Sequence, residues 1–204
     1  MSLETKVAKL IYVGCITVFL TSLGCWALLA HQDVSLPNGR LAGQAILDEQ
    51  FARHAAQGGM AKVKLGQLGR ERGASEAVKA FAQRMIAQHS RANDELKQVA
   101  ARDNISLPAE ISAKDQSTYD RLAKLSGGEF DRAYAKDMVD DHVADVTEFR
   151  KEANGGRNED VKNFAAQALP MLREHLSEAR QMLKVVSPTS ARAKNRGRGV
   201  CAGR

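Results

Sequence analysis

The sequence predicts an all-α protein, a four-helix bundle made of two helical hairpins and preceded by an apolar N-terminal segment. Apolar residues recur every three or four positions through four long stretches, as amphipathic helices require. No stretch of the predicted bundle alternates with the period of two that strands need, so no strands are expected. Short turn sequences at residues 73–75 and 155–158 separate the stretches into pairs. Two similar hairpins side by side make a four-helix bundle.

The N-terminal segment is an uncharged run from Leu10 to Ala30 that follows Lys6 and Lys9. A helix of this length rises about 31 Å, enough to cross the core of a bilayer. The two lysines favour a cytoplasmic N-terminus, which sends the rest of the chain outward. We therefore interpret residues 1–30 as a transmembrane anchor. A cleaved signal peptide ending after Ala30 and a lipoprotein cleavage before Cys25 remain as alternatives.

Residues 31–43 contain Pro37 and Gly39 and are interpreted as a linker, and residues 44–185 as the bundle. The first helix is expected from Leu41 or Gln44 to Arg72. The second is expected from Glu76 to about Arg102, with Ser75 as its N-cap. The segment from residue 103 to 127 is long enough, with a short helix at about 115–125, to run the length of the bundle, as in ferritin-like folds. A plain up-down-up-down bundle is the alternative.

The third helix is expected to open at Ser126 and Glu129, which have the spacing of a capping box, and to end at Gly155 and the glycine after it. Asn158 is expected to cap the fourth helix, which contains a proline. The stripes of the last three long helices predict the core: Val78, Phe81, Met85, Ala92, Leu96, Val99, Phe130, Tyr134, Met138, Phe149, Val161, Phe164, Ala168, Leu172, Ala179 and Met182. A faint internal repeat supports two related hairpins, because residues 78–82 (VKAFA) match residues 161–165 (VKNFA).

Charge and cysteine content exclude several classes of protein. The chain has 30 basic and 24 acidic residues, and five of the basic ones lie in the last twenty positions. The rest of the chain therefore contains 25 basic and 24 acidic residues. The near-neutral body gives no sign of nucleic-acid binding. Residues 186–204 combine positive charge with few large apolar residues and are predicted to be a disordered tail. The cysteines (Cys15, Cys25 and Cys201) lie outside the bundle, which excludes a thiolate metal site there.

Four polar residues fall within the apolar stripes at mid-bundle height, namely Lys62, His89, His142 and His175, and Asp145 lies one turn after His142. One interpretation is a metal centre with His89, His142, Asp145 and His175 as ligands. The other is a hydrogen-bonded polar layer, in which Lys62 pairs with Asp145 or Asp141 and the histidines bond to one another or to water. The sequence favours the polar layer, because Glu-x-x-His pairs are absent and Lys62 adds a positive charge that opposes a cation.

Several segments together resemble a bacterial family of unknown function, DUF4142. They are residues 55–61 (AAQGGMA), 81–85 (FAQRM) with His89, 125–127 (LSG) with 130–134 (FDRAY), Asp141 with His142, and Leu169-Pro170 with His175. The resemblance covers about residues 47–184 and implies a ferritin-like fold in an exported or membrane-associated protein. It implies no established reaction. The chain departs from the family at Lys62, where the family usually has glutamate.

The sequence contains no catalytic triad order, phosphate loop or cofactor fingerprint. We therefore expect a non-enzymatic binding or structural domain at the bacterial envelope, anchored in the inner membrane and facing the periplasm, with no cofactor. The alternative is a metal-binding ferritin-like protein or a metal-dependent oxidase that uses the histidine and aspartate cluster. The membrane is the only partner that the sequence predicts, and the sequence indicates no ligand, protein partner or oligomeric state.

Overall fold

The structure, a computed structural model, describes the backbone of residues 37–187 and the side chains of residues 47–187. The predicted anchor at residues 1–30 and the predicted tail beyond residue 187 lie outside this range. Within the described range all regular structure is helical: α1 (Pro37–Arg72), α2 (Glu76–Arg102), α3 (Ala113–Leu122), α4 (Gly127–Gly155) and α5 (Glu159–Val186). None of these helices is both long enough and apolar enough to span a bilayer.

The four long helices form the two predicted hairpins, α1 with α2 and α4 with α5. The hairpins face each other through α2 against α5 and α1 against α4, and α3 packs on α1 and α4. At one end of the bundle, Arg102 at the end of α2 pairs with Asp160 at the start of α5 at 2.7 Å. At the other end, the start of α4 meets the turn between α1 and α2. The connection from α2 to α4 therefore returns along the length of the bundle, as the sequence predicted.

Most helix ends follow the predicted capping chemistry. The Ser75 hydroxyl accepts a hydrogen bond from the Val78 amide at 3.3 Å, and the Asn158 side chain accepts one from the Val161 amide at 2.9 Å. The predicted capping box at Ser126 is wrong, because Ser126 makes no side-chain capping bond. The chain instead enters α4 through Gly127 with a positive φ of 58°, a conformation that glycine adopts readily.

Two other boundaries differ from the sequence prediction. Helix α1 begins at Pro37, inside the segment interpreted as a linker. Proline suits the first turn of a helix, because its φ is already helical and its missing N–H has no partner there. Helix α3 begins at Ala113, two residues earlier than expected, because Ser112 caps it by accepting from the Asp115 amide at 3.1 Å.

The predicted stripes form two apolar clusters, one above the other. The cluster nearer the α1–α2 turn contains Met85, Phe130 and Tyr134, and the cluster nearer the α4–α5 turn contains Phe51 and Leu96. Two of the predicted core positions, the alanines at 92 and 168, are only half-buried. Each of the four long helices crosses from one cluster to the other at its mid-bundle polar residue. The fold thus places one polar level between two apolar ones.

Each hairpin turn is held by one aspartate from the opposite hairpin. Asp131 on α4 accepts hydrogen bonds from the amides of Ala74 and Ser75 in the α1–α2 turn, both at 2.8 Å. Asp48 on α1 accepts from the amides of residues 157 and 158 in the α4–α5 turn, at 3.0 and 2.8 Å. Both aspartates are buried. They fix the direction and the height at which the hairpins dock, because charge-assisted hydrogen bonds to backbone amides are short and directional.

Candidate metal centre

Three histidines from three helices meet at the polar level of the bundle. His89 of α2, His142 of α4 and His175 of α5 are 4%, 0% and 0% exposed. Their ring centroids lie 5.2 to 6.0 Å apart. One ring nitrogen from each lies within 4.8 Å of those of the other two. The predicted convergence of the three imidazoles is therefore confirmed, and we call them the histidine cluster.

Some ring nitrogens of the histidine cluster make hydrogen bonds, and others have no hydrogen-bond partner among the described residues. His142 Nδ1 donates to the Met138 carbonyl oxygen at 2.7 Å, and His175 Nε2 donates to the Gln88 side-chain oxygen. These bonds place the free electron pairs of the two rings on His142 Nε2 and His175 Nδ1. Both atoms, together with His89 Nε2, are buried and have no hydrogen-bond partner among the described residues. Each ring thus holds one unpartnered nitrogen inside the bundle.

Burial keeps all three imidazoles neutral. Burial, reinforced by Lys62, lowers the pKa of His142 to about 4. Burial, reinforced by His142, lowers the pKa of His175 to about 3. The pKa of His89 is also lowered well below its usual value, by burial first and then by Lys62. At neutral pH the free electron pairs are therefore unprotonated, which is the form that binds metals.

Lys62 enters the same level from α1 and is 3% exposed. Its Nζ lies 2.7 Å from Asp145 Oδ2 and 2.9 Å from Asp141 Oδ2, which confirms the predicted pairing and extends it to both aspartates. Burial alone would lower the pKa of Lys62, but the two carboxylates raise it above its usual value. Lys62 therefore stays charged, and we call Lys62, Asp141 and Asp145 the buried triad.

The two aspartates respond differently to the shared ammonium group. Burial raises the pKa of Asp145 to about 6, although Lys62 opposes that shift. At Asp141, which is more exposed, burial also favours the neutral form, but Lys62 outweighs it and the pKa is lowered. Above about pH 6 both are ionised, so the buried triad carries one net negative charge. The positive charge that appeared to oppose a cation in the sequence is more than balanced in the structure.

Of the four predicted metal ligands, the structure brings three together. Asp145 is not among the side chains whose ligand atoms converge. Its Oδ2 binds Lys62 instead. Sequence analysis did not identify Gln88, which orients His175. It assigned Phe81 to the apolar core only, whereas the Phe81 ring lies edge-on to His142 and His175 at centroid distances of 6.3 and 6.2 Å. Gln88 directly precedes His89 in the sequence, but nothing in the helical pattern distinguishes it from an exposed glutamine.

A cavity of about 30 Å³ lies beside the cluster. Its walls include Lys62, His89 and Asp145, together with Gly58 and Asn93. Its volume exceeds the roughly 10 to 15 Å³ of free space that one water molecule requires. We call this cavity the chamber. The centre therefore combines three neutral imidazoles, a buried triad with one negative charge, and room for one small ligand.

The fold and the site define a class of protein: an all-α domain of two hairpins with a buried histidine cluster at its middle. The chain belongs to the family described as "Domain of unknown function (DUF4142)", whose model matches residues 37–182. Comparison with curated proteins finds no match. Among solved structures, the chain is similar to the crystal structure of a DUF305 fragment from Deinococcus radiodurans. The TM-score is 0.58 at 18% identity, covering 68% of this chain and 94% of that one, a likeness of fold alone.

Proposed function

We propose that this domain binds one transition-metal ion through His89, His142 and His175. The observation that carries the proposal is that three buried imidazoles from three helices each offer a nitrogen within 4.8 Å of the others. Each ring also holds a buried nitrogen that has no partner among the described residues. A buried polar atom without a partner costs about 1 to 3 kcal/mol. Three such atoms in one cluster would be costly without a ligand, and one bound cation would satisfy all three at once.

The donor set indicates which ions fit. Neutral imidazoles suit zinc, cobalt, nickel, copper and iron, whereas magnesium and manganese prefer oxygen ligands. The hydrogen bonds from His142 to the Met138 carbonyl and from His175 to Gln88 are the kind of outer contacts that orient metal-binding histidines. The negative charge of the buried triad also favours a cation. Three protein ligands leave one position open for a further ligand.

The bundle is proposed to act as a binding domain rather than an enzyme, because the sequence contains no catalytic motif. We further propose that it works at the bacterial envelope, with residues 1–30 as an anchor and the bundle in the periplasm. The uncharged run after Lys6 and Lys9 supports this location. An anchored protein should stay in the membrane fraction after a carbonate wash and keep its full mass. A soluble form that begins at His31 would overturn the anchor and favour a cleaved signal.

Metal content tests the proposed site. The full-length protein, purified in detergent and stripped with a chelator, should take up one zinc or cobalt ion per chain, and not manganese. Because metal binds the folded state, it should raise the melting temperature, by the amount that mass action gives at the chosen metal concentration. Cobalt should show the visible absorption of a four-coordinate site.

Two variants provide the comparison. His142→Ala should abolish binding, because it removes a ligand. His54→Gln should bind like the parent, because the exposed His54 pairs with Glu148 on the surface. A parent protein that takes up no metal, and whose melting temperature is indifferent to metal and chelator, would overturn the proposal. The cluster would then be the hydrogen-bonded polar layer, with water in place of the ion.

A further inference from the structure

The Lys62 ammonium group has one hydrogen-bond donor left over. An ammonium group carries three N–H donors. Asp145 and Asp141 accept two of them, and no hydrogen bond or ion pair joins Nζ to any other described residue. Lys62 is buried, so the third donor must be satisfied within the bundle. The chamber, which Lys62 lines, is the nearby space in which a partner for that donor fits.

The chamber joins Lys62 to the histidine cluster. His89 forms part of its wall, and His89 Nε2 is buried without a partner. Gly58 keeps the space above the ammonium group open, because a Cβ at this position would lie 3.4 Å from Lys62 Nζ. A ligand in the chamber therefore contacts a hydrogen-bond donor on one side and the edge of the cluster on the other.

The charges of the site determine which ligand fits once a divalent ion is bound. The ion and Lys62 bring three positive charges, and Asp141 and Asp145 bring two negative ones. Glu148 also lines the chamber, but its carboxylate is exposed to solvent and pairs with His54, so it is not counted with the buried charges. The imidazoles are neutral, so one positive charge is left in a buried site. An isolated buried charge is strongly disfavoured, and one small monovalent anion neutralises it.

We propose that the chamber is an anion subsite, in which one small monovalent anion occupies the open position of the metal and accepts a hydrogen bond from Lys62 Nζ. This proposal rests on the proposed metal site. The volume of about 30 Å³ admits hydroxide or an anion of two or three atoms bound end-on, and excludes a ring-sized carboxylate. The site is thus selective for small anions by size and by charge.

The test is a titration of the cobalt-loaded, full-length protein with azide at pH 8, followed by visible absorption, with benzoate as the bulky comparison. The parent should bind azide with a saturable spectral change and ignore benzoate. Gly58→Val, which fills the chamber with methyl groups, should abolish the response to azide while cobalt still binds one per chain. Unchanged azide binding in Gly58→Val would overturn the proposal.

Two charge variants should move the azide affinity in opposite directions. Lys62→Met removes the donor and the positive charge and should weaken azide binding by at least about tenfold. Asp141→Asn leaves Lys62 in place, raises the net positive charge and should strengthen azide binding several-fold. Lys64→Met is the matched control, because Lys64 lies on the same helix but donates to Gln116 on the outside of the bundle. Equal affinity in all three variants would show that azide binds elsewhere and overturn the subsite.

The outcomes separate the two proposals. If the parent binds one cobalt per chain but shows no azide response, the anion subsite is wrong and the metal site stands. If the parent binds no cobalt, the metal site is wrong and the subsite is overturned with it. If Lys62→Met does not fold, Gly58→Val and Asp141→Asn still decide the question, because neither removes the ammonium group that neutralises the buried carboxylates.

Discussion

Replacing Lys62 by methionine should destabilise the bundle and make its stability depend strongly on pH. The substitution keeps the length of the side chain but leaves Asp141 and Asp145 without their shared cation. Removing one partner of a buried ion pair typically costs about 3 to 5 kcal/mol. Asp145 is 15% exposed and Asp141 is 32% exposed, so water screens part of the loss and the lower end, about 3 kcal/mol, is expected.

The direction of the pH effect follows from the carboxylates. The pKa of Asp145 is about 6 with Lys62 present, already above its usual value, and it must rise further without that cation. An acid whose pKa is raised by folding destabilises the folded protein once it ionises, so the penalty grows as pH rises through that pKa. The Lys62→Met variant should therefore lose most stability at pH 8 and approach the parent at pH 5, where Asp145 is protonated.

Thermal and urea melts of the metal-free protein measure both effects. For a domain of this size about 3 kcal/mol corresponds to a fall of roughly 6 to 12 °C in melting temperature at pH 8. The control Lys64→Met removes a half-buried lysine of the same helix that donates to Gln116 and lies over the Tyr119 ring, so it should cost less than Lys62→Met and cost the same at pH 5 and pH 8. Adding Asp145→Asn to Lys62→Met should restore part of the loss, because the ionised carboxylate is gone. A Lys62→Met variant as stable as the parent at pH 8, or equally destabilised at pH 5 and pH 8, would refute the reasoning.

Three further substitutions test other parts of the fold. Asp131→Ala should lower the free energy of unfolding in a urea melt by about 2 to 3 kcal/mol, because two turn amides lose a charged acceptor. A decrease below about 0.5 kcal/mol would show that water replaces the carboxylate freely. Glu152→Gln should stabilise the protein more at pH 8 than at pH 5. Burial and then Asp48 raise the pKa of Glu152 to about 7, so the ionisation of Glu152 opposes folding as pH rises. Melting temperatures that shift equally at both pH values would contradict this. Gly69→Ala should cost about 1 to 3 kcal/mol, because a Cβ there would lie 2.8 Å from the Tyr134 ring. Gly155→Ala should be neutral or slightly stabilising, because a Cβ at that position would meet nothing within 4 Å. Equal melting temperatures for the two glycine variants would refute this packing argument.

The sequence predicted those features that depend on one helix at a time. Helix α2 has the predicted bounds, because Ser75 caps it and its stripe is regular. The inward direction of Lys62 and the three histidines also follows from helical geometry alone, since each lies in its own stripe. The pairing of Lys62 with an aspartate was predictable as well, because a buried ammonium group requires an acceptor.

Features that depend on how the hairpins dock were not predictable in the same way. The sequence left Asp145 as either a metal ligand or a partner of Lys62, and only the docking of the hairpins places its Oδ2 2.7 Å from Lys62 Nζ. Asp48 and Asp131 were not singled out at all, because their partners are backbone amides distant in the sequence. The start of α1 at Pro37 was missed because proline beside asparagine and glycine indicates a turn as readily as a first helical turn.

The reciprocal contacts of Asp48 and Asp131 act as an alignment check for the whole molecule. If one hairpin slid along the other by a single helical turn, about 5.4 Å, both aspartates would lose their amides together. The same slip exceeds the 4.8 Å within which the three histidine nitrogens meet, so it would separate His89 from His142 and His175, which lie together on the other hairpin. A misaligned bundle therefore loses hydrogen bonds at both hairpin turns as well as the histidine cluster at its middle. The contacts at the two hairpin turns thus set the alignment of the histidines at the centre of the protein.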